Sequence, residues 1–242
     1  MVVKIISNTF LSLSFFIGGL LHIEKLNAQT EILEAGVRAM ERGHYATALR
    51  TFRKLAKNGD AQAENNIGYL YERGLGVPQD YGMALKWYKL AAAQFLPEGE
   101  YNTGLLYHHG YGVAKNQSEA KKWFERSAKK GFLEAEFMMG HVYQNGWGVR
   151  PSGIRALNWY RRAAKKGKIE AQFMTGYMLL SGEAGEEEAV KGYAWTEVSS
   201  LNGYEGAKEV LDYAGLSMKE SQIKIAKALA KQCVVSELRN CP

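Results

Sequence analysis

Apolar and polar residues follow a helical step along this chain, and the pattern restarts every thirty-six positions. Within residues 61–95, positions 60, 64, 67, 68 and 71 fall on one side of a helix, and 62, 66, 69 and 73 on the other. The first side carries Ile67, Gly68 and Tyr71, and the second carries Gln62, Asn66, Tyr69 and Arg73. This predicts an amphipathic helix with a glycine on its buried face. A second amphipathic stretch gathers Ala84, Trp87, Tyr88 and Ala91, and Ala120, Trp123 and Phe124 repeat the arrangement. Between the two stands Gly74-Leu75-Gly76-Val77, matched by Gly110-Tyr111-Gly112-Val113 and Gly146-Trp147-Gly148-Val149. A left-handed glycine stop brings the residue after the glycine onto the one five positions before it. Those pairs are Leu70 with Leu75, Leu106 with Tyr111 and Val142 with Trp147, all apolar. Asp80, Asn116 and Ser152 follow as N-caps of the second helix, and Glu119 stands at capping-box spacing from Asn116.

The thirty-six-residue step holds for Gly68, Gly104, Gly140 and Gly176, for Trp87, Trp123, Trp159 and Trp195, and for Gly74, Gly110, Gly146 and Gly182. It also holds for Ala92, Ala128 and Ala164, and for Gly131, Gly167 and Gly203. A period of this size marks a stack of supersecondary units, each covering the apolar face of its neighbour. Glycine costs about 1 kcal/mol in a helix interior relative to alanine. Its return in four units predicts that two helix backbones cross too closely there for a side chain. The expected fold is all-α, a right-handed α/α superhelix, or solenoid, of helix-turn-helix repeats.

The residues resemble the Sel-1-like repeat, a relative of the tetratricopeptide repeat. Ala63, Gly68, Tyr71, Gly74, Gly76, Val77, Ala84, Trp87, Tyr88 and Ala92 match its signature positions, and the next two units repeat the match. Residues 29–59 are closer to a tetratricopeptide helical pair joined at Gly43-His44, residues 60–203 hold four Sel-1-like repeats, and 204–242 form C-terminal capping helices. The fourth repeat has Ala184-Gly185-Glu186 where the second turn glycine and valine belong. Ser217 with Glu220 is expected to cap the last helix. The resemblance implies scaffolding of complexes, signalling or host contact.

Lys4, an apolar run over residues 5–21 and a polar stretch ending in Leu26-Asn27-Ala28 have the order of a secretory signal peptide covering residues 1–28. An uncleaved N-terminal membrane anchor is the alternative. The expected address is therefore periplasmic or secreted, with no membrane span after cleavage. Cleavage would lower the formal charge from +6 by one. The two cysteines, Cys233 and Cys241, are expected to form a disulfide in an exported chain. Unbroken helix would hold them roughly 12 Å apart, so the bridge requires the chain to turn back between them.

Lysines and arginines such as Lys121-Lys122, Lys129-Lys130, Arg161-Arg162 and Lys165-Lys166 gather toward second-helix C-termini. Glu98, Glu100, Glu134, Glu136 and Glu170 gather at first-helix starts. The helix dipole favours both placements, so these read as solvated helix ends, without a nucleic-acid partner. His108, His109 and His141 lie on neighbouring first helices, but no cysteines or carboxylates stand with them at ligand spacing, and neither metal nor cofactor is expected. Ser-x-x-Lys occurs at Ser118–Lys121 and Ser127–Lys130, without the Ser-Asp-Asn and Lys-Thr-Gly companions of β-lactamase chemistry.

What remains is the outward column of the first helices: Asn66, Tyr69 and Arg73; Asn102, Leu105 and His109; Met138, His141 and Asn145; Met174 and Tyr177. It varies from repeat to repeat and mixes amides, aromatics and methionines, as suits recognition of a peptide or protein on the concave side of a solenoid. The expected protein is thus a non-catalytic, monomeric interaction scaffold of the cell envelope or extracellular space. The alternative is a cell-wall enzyme of the β-lactamase or penicillin-binding kind, or a peptidoglycan binder.

Overall fold

A computed structural model describes residues 27–185 and 188–242 of the chain. The segment read as a signal peptide lies outside the described residues except for Asn27 and Ala28, and so does Glu186 of the fourth turn. The described residues are helical throughout, with no strand, and form an α-solenoid of helix-turn-helix repeats. No described helix is long and apolar enough to cross a membrane. Two compact units emerge, divided after Gln94.

The first unit contains α1 (residues 27–41), α2 (Tyr45–Ala56), α3 (Ala61–Arg73) and α4 (Tyr81–Ala93). Ala48, Leu49, Phe52 and Leu55 of α2 join Ala63, Ile67 and Leu70 of α3 in its core. The second unit contains three hairpins, α5 (Pro97–His109) with α6 (Gln117–Lys129), α7 (Leu133–Asn145) with α8 (Gly153–Lys165), and α9 (Ile169–Ser181) with α10 (Ala189–Leu201). It ends in α11 (Ala207–Ser217) and α12 (Glu220–Val235). We number the hairpins as repeats one (α3–α4) to four (α9–α10).

Local chemistry sets each hairpin. Gly74, Gly110 and Gly146 close the first helices in the left-handed conformation, with φ of 67°, 81° and 71°. The next N–H reaches back to the carbonyl five residues earlier, Leu75 to Leu70 at 2.9 Å, Tyr111 to Leu106 at 3.0 Å and Trp147 to Val142 at 3.0 Å. The second helix starts where Asp80 accepts from the Met83 N–H at 2.9 Å, Asn116 from Glu119 at 3.0 Å and Ser152 from Arg155 at 3.4 Å. Each of these residues also donates its own N–H across the turn, Asp80 to the Tyr71 carbonyl, Asn116 to Tyr107 and Ser152 to Tyr143. Repeat four keeps this closing bond through Glu188 and Leu179 at 2.9 Å, although its Gly-x-Gly-Val sequence is gone. The carboxylate of Glu119 pairs with Lys122 at 3.0 Å, so the capping box reduces to the Asn116 half.

The buried glycine column has a different cause from close backbone crossing in three of its four members. A Cβ on Gly68 would stand 2.6 Å from the Tyr88 ring, and one on Gly104 2.7 Å from the Phe124 ring. Gly140 meets Tyr160 in the same way. The glycine makes room for an aromatic plate on the second helix. At Gly176 the nearest obstacles are instead largely backbone, the Thr196 N at 2.6 Å and the Gly192 carbonyl at 2.9 Å, because Thr196 replaces the aromatic and Gly192 replaces an alanine.

At the C-terminal end α12 packs on α10 through Ala226, Ala230 and Cys233, all fully buried. Beyond α12 the chain reverses through Glu237 and Leu238 at positive φ, and the Leu238 N–H bonds the Cys233 carbonyl at 2.9 Å. Cys241 thereby returns to Cys233, and a disulfide joins them across a Cα separation of 4.4 Å. Ser217 belongs to the last turn of α11, where its hydroxyl bonds the Ala214 carbonyl, and it does not cap α12. That role falls to Gln222, whose side chain accepts from the Lys219 N–H at 2.9 Å.

Candidate functional site

Helical geometry turns the candidate columns away from the hairpin interiors. Within the first unit, Tyr69 and Arg73 are exposed and Asn66 is half-buried, with the Arg73 guanidinium 5.7 Å from the Tyr69 ring centroid. Within the second unit, His109, Asn145 and Tyr177 are exposed, while Asn102, Leu105, Met138, His141 and Met174 are half-buried. The three apolar members of that second group also prop the core beneath them.

His141 is tied inward. Its Nδ1 lies 2.9 Å from the Tyr160 hydroxyl, which donates to Gln144 Oε1 at 2.8 Å, and its ring meets Phe137 and Trp147. Burial holds its pKa below the usual histidine value. His108 is lowered for the same reason, opposed by the hydrogen bond from Nδ1 to Gln117 and helped by His109 and Lys115. The His108 ring lies 4.4 Å from Trp147 and 4.7 Å from His109, which stacks on Tyr111. Among the described residues, no three His, Cys, Asp or Glu side chains come together as a metal site.

Most members of the basic runs are partnered within the chain. Glu100 and Glu136 are not solvated helix starts; both side chains are wholly buried. Glu100 binds Arg126 at 2.9 Å and Lys130 at 2.7 Å, and Glu136 binds Arg162 at 2.8 Å and Lys166 at 2.9 Å. A buried carboxylate is tolerated only with such pairing. The same link, thirty residues apart, recurs without full charges: Gln94 donates to Glu64 at 2.7 Å and Asn202 to Gln172 at 2.8 Å. Each repeat therefore ties the start of its first helix to the end of its second. Lys121 and Lys129 hold Glu125, and Lys168 holds Glu134 and Glu170.

The two Ser-x-x-Lys segments carry the same kind of structural duty. Ser127 is buried and donates to the Pro97 carbonyl at 2.7 Å, while Lys130 is engaged with Glu100. Ser118 is exposed at the start of α6, and Lys121 is paired with Glu125. Neither pair brings serine and lysine together as nucleophile and base.

The outward columns extend further than the eleven positions read from the sequence. Continuing the thirty-six-residue step, Asn66, Asn102, Met138 and Met174 lead to Val210, while Tyr69, Leu105, His141 and Tyr177 lead to Tyr213. Arg73, His109 and Asn145 lead to Ser181 and Ser217. Five of these, Tyr177, Ser181, Val210, Tyr213 and Ser217, line one cavity of about 580 Å³ between α9 and α11. That volume lies in the range of binding pockets. The repeat register was the signal that could have found them.

The Sel1 repeat signature matches residues 61–94, 97–132, 133–168 and 169–204. Among solved structures, a Sel1 repeat protein from Oxalobacter formigenes is 28% identical with a TM-score of 0.71, covering 80% of this chain and 84% of that one. The protein c5321, a protective antigen present in uropathogenic Escherichia coli strains and displaying an SLR fold, is 30% identical with a TM-score of 0.74 over 86% of this chain. The aligned part is 47% of c5321, so the chain spans about half of its length. A Sel1 repeat protein from Klebsiella pneumoniae subsp. pneumoniae, 20% identical with a TM-score of 0.53 over 77% of this chain and 93% of that one, shares the fold. No curated protein matches the sequence.

Proposed function

Because the chain belongs to the Sel1 repeat family, whose members are generally protein-interaction scaffolds, we propose that it is a non-catalytic adaptor that receives a peptide or protein partner on the outward face of its first helices. One observation carries this reading: the columns that vary between repeats keep exposed members in Tyr69, Arg73, His109, Asn145 and Tyr177, and within the second unit they run on into the lining of the α9–α11 cavity. The groups that could have done chemistry, Ser127 with Lys130 above all, are spent on packing and ion pairs. An exported, periplasmic or secreted location is part of the proposal. It is supported by the order of residues 1–28 and by a disulfide, which persists in oxidising compartments.

The test is affinity capture from envelope extracts with the wild-type chain and with a Tyr69→Ala, His109→Ala, Tyr177→Ala variant. All three side chains are exposed, so the thermal melt is expected to stay within a few degrees of wild type. Loss of a wild-type partner supports the assignment. Retention of every partner overturns it.

A further inference from the structure

We propose that the α9–α11 cavity is the anchoring end of this face, and that it takes a bulky apolar side chain flanked by Lys or Arg in a segment of a partner protein. The inference rests on the scaffold reading and names the chemistry of its partner.

The fold leaves this place unfilled. In repeats one to four the column Gly68, Gly104, Gly140 and Gly176 faces the second helix of its own hairpin. The next member is Asp212 on α11, and the helix that follows, α12, packs against α10. So α11 has the position of a fifth first helix without a hairpin partner. Its outward residues Tyr213 and Leu216 are 79% and 86% exposed. The cavity wall beside them is mainly apolar, with Tyr177, Leu180, Val210, Ala214 and Met218. Exposed aromatics at the mouth of an apolar concavity are the usual anchors of a protein interface. The apolar surface runs on past the cavity through Leu216, which favours a chain segment over a free small molecule.

Charge selects among segments. Glu209 is the one carboxylate in the lining, and no cation among the described residues pairs with it. The same stretch carries Glu205 and Asp212 against Lys208 alone, whereas the chain as a whole is +6. A single carboxylate in an otherwise uncharged cavity lining on a basic protein attracts a basic segment and repels an acidic one.

The experiment uses the full chain and fluorescein-labelled nonapeptides with a central Phe flanked by Arg, the same Phe flanked by Glu, and Ala flanked by Arg. The Arg-flanked Phe peptide is expected to bind about tenfold or more tighter than either control, with affinity falling as salt is raised. Glu209→Gln is expected to weaken it about fivefold and Tyr213→Ala about tenfold, both with unchanged melts because both side chains are exposed. Equal binding of the Glu-flanked peptide, no binding of any, or indifference to Glu209→Gln overturns the proposal. The captured partner keeps the two readings apart. A partner lost with the Tyr69, His109, Tyr177 variant but kept with Glu209→Gln and Tyr213→Ala sinks the cavity assignment alone. A partner kept with all of these variants sinks the scaffold reading as well.

Discussion

Repeats two and three and repeat four share a backbone plan and solve the outer edge of the second helix in opposite ways. In the two inner repeats, Arg126 and Arg162 lie over the half-buried rings of Trp123 and Trp159, each guanidinium 4.5 Å from the ring centroid. The same guanidinium groups reach the buried Glu100 and Glu136. In repeat four the equivalent positions are Val198 and Trp195, both fully buried, and Gln172 replaces the glutamate. The difference follows from what covers each edge. Arg126 and Arg162 are about half exposed, so their charges keep water while their stems cover the indole. Over repeat four lie α12 and the returning tail, where a guanidinium would lose its water. Desolvating an ion pair costs more than its attraction returns unless geometry is ideal, so an apolar valine and an amide pair are the cheaper solution. The indole N–H shows the same contrast: Trp195 Nε1 donates to the Pro242 carbonyl at 2.8 Å, while buried Trp123 Nε1 has no partner among the described residues.

The comparison breaks most directly at the tryptophans. Trp195→Ala is expected to cost about 3–5 kcal/mol, as large aromatic truncations in a closed core do. Trp123→Ala, at a half-exposed edge, is expected to cost about 1–2 kcal/mol. Urea unfolding followed by circular dichroism measures both. Equal losses would mean that the tail does not shield repeat four.

The disulfide sharpens the same point at intermediate size. Cys233 and Cys241 close a short loop, for which chain-entropy reasoning gives a loss of about 2 kcal/mol in Cys241→Ser. The effect should be local. The chain has five tryptophans, and of their indole N–H resonances that of Trp195 is expected to move most, because its acceptor is Pro242. A uniform shift of all five, or none, would show that the bridge does not hold the tail on repeat four.

The parts that were legible in the sequence are those governed by local chemistry. The stops at Gly74, Gly110 and Gly146 and the caps at Asp80, Asn116 and Ser152 depend on residues within a few positions of each other, so spacing alone specified them. The ties of Glu100 to Lys130 and of Glu136 to Lys166 join positions thirty apart. The helix dipole already accounted for each charge singly, which hid the pairing. The glycine column was visible but its cause was not, since a glycine facing Tyr160 and one facing the Gly192 carbonyl look alike in one dimension. As for the candidate face, its columns as read from the sequence stop one helix before the register does. Val210, Tyr213 and Ser217 lie beyond the last recognisable turn, on a helix that lacks a hairpin partner.

The smallest expected effect concerns pH, and it again divides the inner repeats from the terminal one. His108 and His141 lie in repeats two and three; the corresponding residues of repeat four are Leu180 and Tyr177. Burial lowers the pKa of both histidines below the reference value of 6.5, so they stay neutral in the folded chain at pH values where the unfolded chain takes up protons. Wherever the unfolded state binds more protons, stability rises with pH. The contribution is therefore intact above about 6.5 and is lost as pH falls below it, through the range down to the folded pKa values. His141→Tyr installs the residue that repeats one and four carry in this column and removes one titrating group. Urea midpoints measured from pH 7.5 to 5 should fall less steeply in this variant than in wild type, while Tyr177→His, at an exposed position, should leave the slope unchanged. An unchanged slope in His141→Tyr would show that the shielding of His141 beside Tyr160 and Trp147 is not coupled to folding.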